Sequence, residues 1–241
     1  MSRIVPLDAV RHRGLRVDPM KGAAARSFVQ IGLSEIASAA ADMPLCFAKD
    51  GETGRFNLIA LLGLVEARNL FWFGGGMQAT YLPKAAGVTA FRLDPDGVAG
   101  LAVDETDPAA GHAGEALFEA DGAPVAALSD LADLLRGIVD DVGAARALVD
   151  VLASHKLIRP LRVKIRYEDG HVHEIAGLYG VSAEALADLD DAAVVALHRA
   201  GALRAAAVVT ASLAQMERLR QLHDAASPRR RMGAVRVEIV E

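Results

Sequence analysis

Apolar and polar residues keep a strand-like rhythm in the first half of the chain and a mostly helix-like one in the second. Residues 28–31, 45–48, 56–64, 70–73, 88–93 and 98–103 are short apolar runs. Between them lie the turn-forming stretches Lys49-Asp50-Gly51-Glu52-Thr53-Gly54-Arg55, Gly74-Gly75-Gly76 and Asp94-Pro95-Asp96-Gly97. This pattern predicts strands and, over 45–64, a hairpin with a long loop. Residues 4–7 and 15–17 flank the basic turn Arg11-His12-Arg13-Gly14 and read as an extended arm laid against the body. Ser34 stands where it can cap a short helix over 35–41, ended by Asp42-Met43-Pro44. From 125 to 157, apolar residues recur at steps of three and four (Leu128, Leu131, Leu135, Ile138, Val142), which predicts one or two amphipathic helices with Gly143 as the break point. Leu161, Val163, Ile165 and Tyr167 then alternate with Arg162, Lys164 and Arg166, and Asp169-Gly170 follows, predicting a hairpin over 161–175 with a type I′ turn. Helical spacing resumes over 184–189 and 191–199, is interrupted at Gly201, and runs on from 202 to 223, before 235–240 alternates as a final strand.

The expected fold class is α+β, an antiparallel β-rich N-terminal half packed with amphipathic C-terminal helices and the 161–175 hairpin. A single domain over 1–241 is expected, with an arm at 1–26, a sheet-rich part at 27–122, a helix-hairpin-helix part at 123–226 and a strand at 235–240. Composition supports a folded chain: 52% of the 241 residues are apolar and 24% charged, outside the disordered regime. The net charge of −5 and only 7 Phe, 3 Tyr and 1 Trp argue against nucleic acid as a partner. The most apolar stretches, 56–64 and 205–213, are about half the length a bilayer-spanning helix needs, so no membrane span is expected. Residues 1–21 hold no apolar run of signal-peptide kind, and Cys46 is the lone cysteine; a cytoplasmic location is expected. The charge is uneven. Twelve acidic residues and one basic residue, Arg136, occupy 94–141, whereas 1–26 carries six basic and two acidic residues. Either one end docks on the other or both are solvated faces.

The residue types bearing chemistry are sparse. His171 and His173 project from one face of a strand but lack the further ligands of a zinc or iron site, so no metal is expected. Asp94, Asp96 and Glu105 mimic part of a calcium loop that fails at Val98 and Ala99. The Gly74–Gly76 run lacks the Lys and Ser or Thr of a phosphate loop, and no nucleotide cradle or other cofactor site is expected. Cys46, between Leu45 and Phe47, reads as an inert core thiol. No catalytic residue is assigned.

Several stretches occur in order over residues 4–222: Val5-Pro6-Leu7-Asp8 with His12-Arg13-Gly14-Leu15-Arg16-Val17, the run from Phe47 through Lys49-Asp50-Gly51-Glu52-Thr53-Gly54-Arg55-Phe56, and Ala60-Leu61-Leu62-Gly63-Leu64. Tyr81-Leu82-Pro83, Asp104-Glu105, Gly177-Leu178-Tyr179 and Leu197-His198-Arg199-Ala200-Gly201-Ala202-Leu203 follow. Together they resemble the bacterial SapC family. The resemblance implies a protein named for a surface-array locus and associated with outer-membrane uptake systems, with no catalytic residues to carry over. It is unrelated to the transporter permease of the same name, which has membrane spans.

The polar loop of Lys49, Asp50, Glu52 and Arg55, framed by Gly51 and Gly54, needs partners for its charges, and the arm with His12, Arg13 and Arg16 is the expected source. The two either staple each other or, with Tyr81 and Glu105, rim a surface for an acidic or peptide-like ligand. The leading expectation is a non-enzymatic binding or accessory protein acting on a peptide or protein partner. The alternatives are a small enzyme or accessory subunit using Lys49, Asp50, Arg55 and Glu105, and a surface-layer-associated protein.

Overall fold

A computed structural model describes residues 3–73 and 76–240. The strands are Ile4–Pro6 (β1), Arg16–Val17 (β2), Phe28–Gln30 (β3), Leu45–Lys49 (β4), Phe56–Leu61 (β5), Trp72–Phe73 (β6), Gly76–Met77 (β7), Phe91–Leu93 (β8), Leu101–Asp104 (β9), Ala110–Gly111 (β10), Glu115–Ala116 (β11), Ile158–Tyr167 (β12), Val172–Val181 (β13) and Met232–Ile239 (β14). The α-helices are Pro19–Ala24 (α1), Ile36–Ala40 (α2), Ala127–Ser154 (α3), Ala183–Ala187 (α4), Asp191–Arg199 (α5), Ala202–Ser212 (α6) and Met216–Ala226 (α7). The class is α+β. Two compact units are formed, each from two separated stretches: one from the chain through Arg26 with Lys84–Asp140, the other from Ser27–Pro83 with residues 141–240. Among the described residues, no single helix is long and apolar enough to cross a membrane.

The first unit holds two small antiparallel sheets, in the orders β1-β9-β8 and β10-β2-β11. The arm is thus built into the sheets: Val5 pairs with Val103, and Val17 with both Ala110 and Glu115. The charge asymmetry has a structural meaning here, because three neighbouring carboxylates collect N-terminal groups. Asp104 accepts the Arg3 amide at 3.1 Å, Glu105 accepts Arg11 Nε and Nη2 at 2.8 Å each, and buried Asp107 pairs with Arg26.

The second unit is a six-stranded sheet in the order β14-β12-β13-β4-β5-β3, its described neighbours all antiparallel. The alternation read in β12 is realised: Leu161, Val163, Ile165 and Tyr167 are buried, whereas Lys164 and Arg166 are exposed. Helix α6 packs against β4 and β13. Ser212 locks this contact, accepting the Leu45 amide at 2.8 Å while donating to the Val209 carbonyl at 2.6 Å. Cys46 is fully buried opposite Ile59, and burial pushes its thiol up, away from the reactive thiolate.

Several sequence expectations change in detail. Helix α3 does not break at Gly143, because Gly137 and Gly143 both lie on the exposed side of a buried stripe: Leu128, Ala132, Leu135, Ile138, Ala145, Val149 and Leu152. A glycine there costs only about 1 kcal/mol. The 161–175 hairpin is longer than read, and its turn is not type I′, which needs positive φ at both central residues. Only Gly170 has it (+86°), and the Tyr167 amide donates across to the His171 carbonyl at 2.9 Å, closing a three-residue loop. The 202–223 helix is split by a 3₁₀ turn at Leu213–Gln215. The expected turn at Gly74–Gly76 falls partly on Gly74 and Gly75, which lie outside the described residues.

Candidate functional site

The second unit carries a groove of about 450 Å³ between the 33–37 segment, α3 and α6. Its apolar lining comes from Leu33, Ile36, Ala37, Leu148, Ala200, Ala205 and Val208, and its polar side chains are Ser34 and Arg204. The wall at 33–37 is fixed from beneath. Gly32 N–H donates to Glu35 Oε2 at 2.9 Å, and Glu35 Oε1 accepts the Tyr81 hydroxyl at 2.8 Å. Ser34 does not cap the helix as its position suggested. It lies within the 3₁₀ turn Leu33–Glu35, and its amide and hydroxyl donate to Asp141 at 2.9 and 2.5 Å. A side chain at position 32 would run into Asp141, which is why glycine stands there. The far end of the groove is the α5–α6 corner, where Gly201 at φ +73° opens α6 without a side-chain cap. Arg204, one turn into α6, is exposed and makes no ion pair among the described residues.

A second polar cluster holds the 78–81 segment in place. Asp42, 3% exposed, accepts Thr80 N–H at 2.7 Å, the Thr80 hydroxyl, Tyr81 N–H at 3.2 Å and Arg218 Nη1 at 2.5 Å. Burial works against its charge, but the bonds from Thr80 and Arg218 outweigh it and hold the carboxyl below its ordinary value. Arg218 also donates to the Gln78 carbonyl at 2.7 Å and lies over the Phe71 ring. For Tyr81, burial and then the Glu35 carboxylate push the phenol up, so it remains a neutral donor.

The residues selected from sequence divide between the units. His12, Arg13, Arg16 and Glu105 belong to the first; Lys49, Asp50, Glu52, Arg55 and Tyr81 to the second. Among the described residues the arm takes its partners within the first unit and the loop within the second, whereas the charge pattern predicts that the arm partners the loop. Buried His12 accepts the Asp8 amide on Nδ1 at 2.9 Å, so its proton is on Nε2, which donates to Glu105 at 3.1 Å. Arg13 donates to the Ala120 carbonyl and Arg16 to that of Gly114 at 2.8 Å. In the loop, Asp50 Oδ1 accepts the Thr53 amide and hydroxyl at 2.7 Å each and the Glu52 amide at 3.2 Å; Gly54 turns at φ +69°. Arg55 pairs with Asp150, and Lys49 lies over the Phe56 ring. The loop is thus a turn closed largely on itself. Tyr81, through Glu35, supports the 33–37 wall of the groove, and Arg55, through Asp150, ties the polar loop to α3. The lining residues were missed because Leu, Ile, Ala and Val carry no chemical signature; the helix break at Gly201 was the one legible sign of the corner.

The Glu105 cluster has a pH consequence. Hydrogen bonds from Arg11 lead the causes holding its carboxyl below the ordinary value of 4.5. A carboxylate lowered on folding stabilises the fold above its unfolded value and loses that contribution as pH falls through the folded one. The thermal midpoint is therefore expected to stay level from neutral pH down to about 5 and to fall below about 4. Glu105→Gln should lower the plateau and soften the fall; an unchanged acid limb would contradict this role.

No curated protein and no solved structure matches the chain. The SapC family model matches residues 7–219, which leaves out β1, most of α7 and β14, and the chain belongs to the SapC family.

Proposed function

We propose that the chain is a binding module, working in the cytoplasm, whose peptide or protein partner belongs to an outer-membrane uptake system. In this reading the partner lays apolar side chains along the groove between 33–37, α3 and α6 and sets an acidic group on Arg204. The observation that carries it is the groove itself: an apolar concavity of about 450 Å³ with one unpaired cation on its lining is a recognition surface, apolar for affinity and charged for orientation. The cluster at Glu35, Tyr81 and Asp141 serves to hold one wall. The Leu197–Leu203 stretch, one of those carrying the family resemblance, forms the corner at the other end.

Panning a random peptide library on the full chain tests the reading. Enriched sequences should combine an acidic residue with neighbouring apolar ones. Ala37→Trp, which fills the groove from an exposed position, should abolish their binding, and Arg204→Glu should weaken it about tenfold or more. Both variants should melt with the parent. Failure to enrich any sequence, or binding that ignores both substitutions, would overturn the proposal.

A further inference from the structure

The first unit holds a cavity of its own, of about 130 Å³, between β2, β8, β11 and the first turns of α3. Buried Val17, Phe91, Leu117 and Leu128 form its inner lining. The backbone at Gly87 leaves further room, since a Cβ there would meet nothing within 4 Å. Close-packed interiors leave few voids larger than a water molecule. An apolar cavity of about 150 Å³ stays dry and takes up benzene, so this one has room for a group of about six carbons.

Its mouth is anionic. Glu115, exposed at the rim, is the one charged side chain among the described residues that line it. Strand register puts it there: Glu115 pairs with Val17 and Ala116 with Arg16, and residues directly opposite share a face. The Glu115 carboxylate is therefore on the Val17 side, that of the cavity, whereas Arg16 is on the other and donates to the Gly114 carbonyl at 2.8 Å. The other neighbouring cations also turn away. Arg92 follows Phe91 along β8, on the opposite face, and donates to the Thr89 and Phe91 carbonyls at 3.0 and 2.6 Å. Lys21 is exposed and lies about 200° round α1 from Pro19, which lines the cavity. Of the nearby carboxylates, Asp18 accepts the Met20 and Lys21 amides at the start of α1, and Asp130 offsets the positive end of α3 from its first turn. Glu115 makes no ion pair among the described residues.

We infer that this cavity binds a small organic amine, an apolar group of about six carbons carrying one ammonium. The carbons lie against Phe91, Leu117 and Leu128, and the ammonium stays at the rim against Glu115. The position of the charge separates such an amine from a lysine of a partner protein. A lysine side chain enters tip first and would carry its ammonium to the apolar inner lining, away from Glu115. An acid of the same shape would set its carboxylate beside that of Glu115. The site lies wholly within the first unit and does not depend on the groove of the second.

Benzylamine is the probe, titrated into the full chain with the methyl signals of Val17, Leu117 and Leu128 as the readout. Saturable shifts are expected, with benzyl alcohol binding about fivefold more weakly and benzoate more weakly still. Glu115→Gln, at an exposed position, should keep the fold and bring benzylamine down to the affinity of benzyl alcohol. Ala127→Trp fills the cavity from its exposed rim and should abolish the shifts. Ala37→Trp, in the groove of the second unit, should leave them unchanged. Equal affinity for benzylamine and benzoate, an unchanged affinity in Glu115→Gln, or shifts that persist in Ala127→Trp would overturn the inference, as would tighter binding of an oligolysine peptide than of the amine.

Discussion

Replacing Gly97 by alanine should destabilise the first unit by about 3 kcal/mol or more and lower its melting temperature by about 10 °C. Gly97 closes the Asp94–Gly97 turn, donating its amide to the Asp94 carbonyl at 3.1 Å, while Asp94 Oδ1 accepts the Asp96 amide at 3.0 Å. Chain segments converge on it: Leu7 N–H donates to the Leu101 carbonyl at 2.8 Å, and Val98 N–H to the Leu7 carbonyl at 2.7 Å. A Cβ at this position would overlap the Leu101 carbonyl oxygen and press on the Leu7 amide. Both neighbours are backbone, so no rotamer change relieves the overlap, and the strand pairing of β1 with β9 must shift instead. Its φ of −90° is open to any residue, so the requirement is for space. Gly111→Ala is the control, because nothing lies within 4 Å of a Cβ there; its effect should stay within about 0.5 kcal/mol. Equal melting of the two variants would refute the packing described at Gly97.

Asp42→Ala should cost the second unit about 3 kcal/mol. The substitution removes one acceptor group shared by Thr80, Tyr81 and Arg218, leaving two backbone amides without their partner and the Arg218 guanidinium without its anion. Arg218 is partly exposed and recovers some hydration, which keeps the loss below that of a fully buried pair. Asp42→Asn retains an acceptor oxygen and should lose about half as much. Because Asp42 fixes the 78–81 segment, the near-ultraviolet signal of Tyr81 should change in the alanine variant even at temperatures where it remains folded. A loss below about 0.5 kcal/mol in urea unfolding would show that the cluster contributes nothing of note.

The sequence was most informative where a short-range period decides the outcome. Alternation in β12 marked its buried side chains, because a strand with one buried face cannot slip by a residue without exposing them. The steps of three and four in α3 marked its helix, but the weight given to Gly143 was too great, since a glycine opposite the buried stripe does not interrupt packing. At Asp169-Gly170 the dipeptide announced a turn without deciding its type, which depends on how the flanking residues bond across the hairpin. Longer-range relations were less legible. The acidic 94–141 stretch and the basic arm were read as possible partners, and Asp104, Glu105 and Asp107 do collect the arm; which cation meets which carboxylate depended on strand register. The polar loop was expected to take its partners from the basic arm, yet Asp50 takes Thr53 from within the loop and Arg55 takes Asp150 from α3. Asp42 looked like part of a helix-ending break and proved to be a hub, because its partners Thr80 and Arg218 lie far along the chain. The groove draws on segments at 33–37, 148 and 200–208, and no local pattern brings these together.

Amide hydrogen exchange on the full chain, with and without the peptide selected by panning, most directly tests whether the groove is where this protein binds. Slower exchange is expected at residues 33–37 and 200–208, and it should vanish in Ala37→Trp. Protection confined to other segments, or the same protection in the filled variant, would contradict it.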